Sequence, residues 1–228
     1  MIPFLRPGDP PDAFPPLEQA LRDPDGLLCA GGDLSTERLL EAYRRGIFPW
    51  YSEGQPILWW SPDPRAVLFP GELRISHSLA KTLRNRGFET RVDHAFAEVV
   101  ASCADSDLRP EGTWISPDMQ SAYRHLHELG YAHSVEAWLD GRLAGGLYGI
   151  ALGRVFFGES MFSLERDASK VALARLVDEA AARGIELIDC QVPTLHLESL
   201  GARCIPRDEF TARLSRAIPD TLMPGAWT

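Results

Sequence analysis

Val155-Phe156-Phe157-Gly158-Glu159-Ser160-Met161-Phe162 and Leu187-Ile188-Asp189-Cys190-Gln191-Val192 are two short apolar runs that each end in polar groups, and a stretch of helical character joins them. Both have the length of a strand rather than a helix. Desolvating a carboxylate costs several kcal/mol unless something pairs with it, so Glu159 and Asp189 inside apolar runs mark a site more readily than ordinary core. A surface-facing sheet edge is the alternative.

Strand alternation refines this. Leu187, Asp189 and Gln191 point to one face and Ile188, Cys190 and Val192 to the other, with Asp189 and Gln191 about 6.5–7 Å apart at Cα, close enough for their side chains to hydrogen-bond. By the same count Val155, Phe157, Glu159 and Met161 share a face. A carboxylate that fixes a neutral amide, with a second carboxylate nearby, can orient an amine nucleophile and remove its proton. Two carboxylates also suit a cationic substrate. Glycoside hydrolysis uses paired carboxylates too, but leaves Gln191 without a role.

Outward from these strands the pattern is regular. Strands are predicted at about 133–139, 142–151 and 154–161, with Asp140-Gly141 as a hairpin turn. Helix 168–183 stops at Gly184, strand 186–192 follows, then a short helix from His196 to Leu200 and a strand from Arg203 to Ile205. Upstream lie a strand at Ala66–Phe69, a helix capped by Ser76, a helix from about Asp93 to Cys103, and a helix opened by Ser116-Pro117 and closed at Gly130. The chain divides near residue 65. Residues 1–65 form a small N-terminal α/β unit with a helix capped by Ser35, carrying Leu39, Leu40 and Tyr43 and ending at Gly46. Prolines in Gly46–Tyr51 and Ile57–Arg65 exclude regular helix and central strand, so the aromatics there sit on irregular backbone.

A meander, a helix, a strand and a short helical return in residues 66–228 follow the element order of an N-acetyltransferase-like fold, α+β with a mixed, mainly antiparallel sheet flanked by helices. Element order alone is analogy. Coenzyme A enzymes of that fold hold the pyrophosphate on a glycine-rich turn at a helix N-terminus. Here the turn is Ser163-Leu164-Glu165-Arg166-Asp167-Ala168-Ser169-Lys170, without glycine and with two acids. The acyl donor is therefore something other than coenzyme A.

Composition narrows the class. With 228 residues, 45% apolar and 24% charged, the chain is an ordinary globular protein with one large core, or a main domain and a small companion. No apolar run is long enough to span a bilayer and the N-terminus lacks a signal-peptide core, which predicts a cytoplasmic protein with no membrane association. Cys29, Cys103, Cys190 and Cys204 are widely spaced, so neither a disulfide framework nor a metal site is indicated. His125 and His127 diverge at i,i+2 on a helix and cannot share a metal. A net charge of −9 argues against generic nucleic-acid binding. Charge is uneven, however: Arg74, Lys81, Arg84, Arg86 and Arg91 face a single acid, Glu89, within residues 74–91. That suits a partner touched at one place, or a plain solvated helix face.

Several longer motifs carry a resemblance. Gly46-Ile47-Phe48-Pro49-Trp50, Trp59-Trp60-Ser61-Pro62-Asp63-Pro64-Arg65, Glu111-Gly112-Thr113-Trp114-Ile115, Gly158-Glu159-Ser160-Met161-Phe162-Ser163, Ala168-Ser169-Lys170 and Ile188-Asp189-Cys190-Gln191 resemble, in the right order, the leucyl/phenylalanyl-tRNA-protein transferase family of bacteria. The resemblance implies transfer of Leu or Phe, and also Met, from charged tRNA to the α-amino group of proteins beginning with Arg or Lys, marking them for N-end rule degradation. No cofactor is implied, and a monomer is the default. At matching positions Asp189 would orient Gln191, Gln191 would hold or activate the amine, and Glu159 would help bind the basic acceptor. In an alternative mechanism the terminal ribose hydroxyl of the tRNA carries the proton and these groups only position the substrates. Trp50 and Trp114 match positions associated with the 3′-terminal adenosine, whereas Trp59 and Trp60 read as packing. Leu147, Phe156, Met161, Ser163, Leu173, Leu176 and Ile188 match the aminoacyl pocket, with Leu147 in place of a methionine and Leu176 of a phenylalanine. Arg74, Lys81 and Arg84 could lie against the acceptor stem. An acyltransferase with another donor, and a non-catalytic module that binds tRNA ends or protein N-termini, remain as other readings.

Overall fold

A computed structural model describes residues 2–105 and 113–227 of the chain; Glu111 and Gly112 of the Glu111–Ile115 motif lie outside them. In chain order the strands are β1 (Phe4–Leu5), β2 (Leu27–Gly31), β3 (Phe48–Pro49), β4 (Leu58–Trp60), β5 (Arg65–Leu68), β6 (Glu89–Val92), β7 (Ala132–Leu139), β8 (Arg142–Leu152), β9 (Val155–Ser163), β10 (Leu187–Gln191) and β11 (Arg203–Ile205). The helices are α1 (Thr36–Arg44), α2 (His77–Asn85), α3 (Phe96–Ala104), α4 (Pro117–Glu128), α5 (Ala168–Arg183), α6 (Leu195–Ser199) and α7 (Arg207–Ala217).

A seven-stranded sheet runs β11-β5-β10-β9-β8-β7-β6, antiparallel throughout except for the β9–β10 pair. Local chemistry sets its corners. Asp140 and Gly141 both take positive φ (51° and 72°), as a two-residue hairpin turn requires. Ser116 accepts the amide N–H of Met119 ahead of Pro117, and Gly184 ends α5 in the left-handed region at φ 70°. Helix α5 covers one face of the sheet, with Leu173 and Leu176 against Leu147, Phe156 and Ile188. Helices α3 and α4 cover the other, with Val99 and Tyr123 in one cluster with Tyr148 and Phe157. This is the α+β, N-acetyltransferase-like architecture that the element order implies.

The first 60 residues add a four-stranded sheet in the order β1-β2-β4-β3, whose buried Leu28, Phe48 and Trp59 share a cluster with Phe157 of the larger sheet. Here the expectation of irregular backbone fails. Strand β4 is paired on both sides, because Pro56 and Pro62 bracket it rather than interrupt it. Pro49 lies in β3 at the sheet edge, where a missing N–H is tolerated. Strand β6 and helix α7 had no sequence prediction, and α3 starts at Phe96 rather than Asp93. Asp93 has φ 53° and ties the turn to β7, accepting the Ser134 amide N–H at 2.8 Å.

Simple alternation also fails, at two places that matter. Tyr148 pairs with Ser160 and Gly149 with Gly158, so Glu159 is an extra residue in β9. Past this bulge the faces exchange: Val155 and Phe157 lie with the α3/α4 cluster, but Met161 packs with Phe156 on the α5 side. Met161 therefore does not share the face of Val155 and Phe157. In β10, Asp189 pairs with Val67 and Gln191 with Ala66, leaving Cys190 unpaired, and Gln191 takes φ 63°. Strands β9 and β10 pair only from Val155↔Leu187 to Phe157↔Asp189. Beyond that pairing both strands carry their bulge, and a cavity lies at that end.

Candidate active site

The cavity has a volume of about 310 Å³. Leu147, Phe156, Met161, Leu173, Leu176 and Ile188 form its apolar walls, while Glu159, Asp189 and Gln191 line it with Thr194 and His196. Of the residues matched to an aminoacyl pocket, Ser163 is the one outside this lining. It is exposed, donates to the Glu165 carbonyl at 2.8 Å and accepts the Ser169 amide at 3.2 Å, so its hydroxyl fastens the turn into α5.

Asp189 does not touch the Gln191 amide side chain. Its carboxylate accepts two hydrogen bonds from the Arg65 guanidinium, from Nε at 2.8 Å and Nη2 at 2.7 Å, and both residues are fully buried. Arg65 also donates to the Gly46 carbonyl at 3.2 Å and lies 4.7 and 4.8 Å from the ring centroids of Phe48 and Phe210. Asp189 Oδ1 accepts the backbone N–H of Gln191 at 3.0 Å. Asp189 thus fixes the backbone of the bulge, and its charge is met by Arg65 rather than left for a cationic substrate.

The Gln191 side chain turns to the other carboxylate. Its Nε2 donates to Glu159 Oε1 at 2.9 Å, and the Tyr123 hydroxyl donates to Glu159 Oε2 at 2.6 Å. Tyr43 Oη stands 2.6 Å from Tyr123 Oη and extends the chain. Burial pushes Glu159 up to about 7; the hydrogen bonds from Tyr123 and Tyr43 oppose the shift, the charge of Asp189 adds to it and that of Arg65 opposes it. Burial, with the charge of Glu159 next, also raises both tyrosines well above their ordinary range, so they remain donors. With Nε2 engaged, the carbonyl oxygen of Gln191 is the acceptor left for a ligand. Cys190 lines the cavity as a neutral thiol, its pKa raised by burial and then by the Asp189 charge.

Arg65, Tyr43 and Tyr123 had no role in the sequence reading. Tyr43 looked like part of an apolar helix face, as Tyr123 does at its spacing from Met119 and Leu126, and Arg65 followed a proline. A charged residue opening an apolar strand was the available signal for Arg65.

Trp50 is exposed, with its ring 5.6 Å from that of Trp60, whose Nε1 donates to the Trp50 carbonyl at 2.6 Å. Trp114 is half-buried against the core. Trp59 is fully buried and donates to the Gly31 carbonyl at 2.9 Å, a packing residue. None of these four tryptophans lines the cavity. Arg74, Lys81 and Arg84 are exposed and carry no ion pair among the described residues, whereas Arg86 pairs with Glu165 and Arg91 with Glu89. At the N-terminus of α5, Asp167 is bonded by Thr82 at 3.1 Å and paired with Lys170 at 3.3 Å. Burial works against its ionisation, and these donors outweigh it to hold Asp167 below the usual carboxylate range. The carboxylate is held by these side chains and makes no hydrogen bond to the backbone amides that open α5.

An apolar pocket with a hydrogen-bonding amide at its polar end, and a thiol that stays protonated, suits acyl transfer between two bound substrates, the chemistry of an acyltransferase. Residues 67–215 match the family described as leucyl/phenylalanyl-tRNA protein transferase, and residues 32–63 match its N-terminal domain. The leucyl/phenylalanyl-tRNA–protein transferase of Aromatoleum aromaticum is 61% identical over all of this chain and 95% of its own length. That of Chromobacterium violaceum is 58% identical over 96% of this chain and 92% of its own. The chain belongs to the leucyl/phenylalanyl-tRNA protein transferase family and is an aminoacyltransferase. Among solved structures, a ribosomal-protein-alanine N-acetyltransferase from Brucella melitensis is 20% identical, with a TM-score of 0.38 over 50% of this chain and 84% of that one. Among the described residues no helix is long and apolar enough to cross a membrane.

Proposed function

We propose that this chain moves leucine or phenylalanine, and also methionine, from charged tRNA to the α-amino group of proteins that begin with Arg or Lys, marking them for N-end rule degradation in the cytoplasm. The observation that carries this reading is the cavity: six apolar walls for the donor side chain at one end, and Gln191, held by Glu159, at the other.

An aminoacyl ester is already activated, so the work is to bring an amine to its carbonyl, where positioning supplies a large share of the rate. The amine nitrogen bonds to the ester carbon, the bond from that carbon to the ribose oxygen breaks, and the amine proton ends on that oxygen. Gln191 accepts a hydrogen bond from the amine and aims its lone pair. Both oxygens of Glu159 already accept donors, from Gln191 and Tyr123, which favours positioning by the protein with the proton passing to the ribose. With Asp189 neutralised by Arg65, Glu159 leaves a negative charge that suits a basic acceptor. Trp50 and Trp114 serve as platforms for the terminal adenosine, stacking being worth about 1–3 kcal/mol per base. Arg74, Lys81 and Arg84 supply sequence-independent phosphate contacts.

The test is to incubate the protein with labelled Leu-tRNA and peptides differing only in their first residue. Label is expected on Arg- and Lys-starting peptides and not on an Ala-starting one. Binding of charged tRNA without transfer to any peptide would favour a non-catalytic module instead.

A further inference from the structure

We propose that the C-terminal segment is the rear wall of the donor pocket, and that Trp227 sets, through Phe156, how large an aminoacyl side chain the pocket takes. The proposal rests on the pocket reading above. Phe156 lines the cavity, and the Trp227 ring lies behind it with centroids 5.5 Å apart. Trp227 is 6% exposed and belongs to the same apolar cluster as the wall residues Leu147, Leu173, Leu176 and Ile188.

A segment without regular structure is mobile unless something ties it down. This one is tied at three points. The His133 imidazole of β7 stacks on the Trp227 ring at 4.5 Å, and His133 is itself bonded to Asp93 at 2.7 Å. Arg183, near the end of α5, donates to the carbonyls of Ala226 at 3.3 Å and Trp227 at 2.6 Å, with its guanidinium 5.0 Å from the ring centroid. The Gly225 amide donates to the Gly130 carbonyl at 3.1 Å.

The Phe156 ring has little freedom of its own. A Cβ at Gly149 would meet Phe156 Cζ at 2.6 Å and Cε1 at 2.7 Å, so the ring already lies against the backbone of β8. Trp227 packs against that ring as well, and removing the indole is the way to let Phe156 withdraw from the cavity. Trp227 touches no substrate in this account; it is a positioning residue, and its signature is donor preference rather than overall rate.

The experiment compares kcat/KM for Phe-tRNA and Leu-tRNA in the full chain and its variants. Trp227→Ala should raise the Phe-to-Leu ratio on the order of tenfold, the size of effect that a methylene-scale change in an apolar pocket produces, while KM for the acceptor peptide stays put. Trp227→Phe, which keeps an aromatic ring and guards against a variant that folds poorly, should shift the ratio in the same direction by less. Leu173→Ala changes the cavity wall directly. If Leu173→Ala shifts the ratio and neither Trp227 variant does, or both donors fall in parallel, the rear-wall proposal is overturned. If Leu173→Ala leaves the ratio unchanged, it is the pocket reading that fails.

Discussion

Asp189 and Glu159 are both buried carboxylates at bulges of neighbouring strands, yet their surroundings differ in one respect that decides their roles. Asp189 faces a cation, Arg65, in a two-pronged pair. Glu159 faces neutral donors, the Tyr123 hydroxyl and the Gln191 amide. A buried charge with a charged partner becomes a structural joint, while one with neutral partners keeps a labile proton. The joint holds the backbone of Gln191, and the labile carboxylate holds its side chain. One amide is thus positioned from both ends.

The largest effect should follow from breaking the joint. Arg65→Met leaves Asp189 buried and unpaired, and denaturant unfolding should show a loss of about 3–5 kcal/mol. Combining it with Asp189→Leu should recover most of that stability without recovering transfer. A double variant no more stable than Arg65→Met would mean that Arg65 acts through something other than its pair.

Removing the positioned group comes next. Gln191→Ala should lower kcat on the order of a hundredfold, the usual penalty for losing near-attack geometry, with KM for tRNA little changed. A wild-type rate would remove Gln191 from the site. On the labile side, Tyr123→Phe strips from Glu159 the hydroxyl that donates to its Oε2. Stability should drop by about 1–3 kcal/mol, the cost of a buried polar group left short of its partner. Because the Tyr123 hydrogen bond opposes the upward shift of Glu159, the pH dependence of transfer should move to higher pH in that variant. A profile that stayed in place would separate Tyr123 from the proton of Glu159.

Far from this comparison, Lys81→Ala with Arg84→Ala should weaken binding of charged tRNA modestly and flatten its salt dependence by roughly one unit of log–log slope per lost contact. An unaltered slope would leave that helix face to solvent.

How far the sequence could be read follows from the same residues. Capping chemistry is local, so Ser76, Ser116-Pro117, Gly184 and the Asp140-Gly141 turn were legible, and the α+β order with them. The polar trio was legible as a trio, because carboxylates and an amide inside apolar strands need a reason to be there. Their partners were not. A bulge adds one residue without changing hydrophobic character, so nothing in Gly158-Glu159-Ser160 or Asp189-Cys190-Gln191 announced that the faces exchange there. The Asp189-to-amide bond expected from alternation is replaced by a backbone bond, and the amide goes to Glu159. Tyr43 and Tyr123 present the same apolar body to a helix pattern whether or not their hydroxyls find a buried carboxylate. Arg65 needs a partner 124 residues away, a contact that no local pattern contains.

The central claim is that ionised Glu159 holds Gln191 ready for the amine. Its pKa, raised from 4.5 to about 7, makes this testable by pH. Between those values the folded protein keeps a proton that the unfolded chain has lost, so this group's contribution to stability falls as pH rises and levels off above 7. Glu159→Gln is nearly isosteric, cannot ionise, and is spared that cost. The measurement is the single-turnover rate of leucine transfer to an Arg-starting peptide, wild type against Glu159→Gln, from pH 5.5 to 8.5, a window set about one to two pH units either side of the inflection. The peptide amine titrates identically in both reactions, so the ratio of rates isolates Glu159. The account predicts a ratio that climbs through an inflection near pH 7 and then flattens. A ratio that is level across the whole range would contradict it.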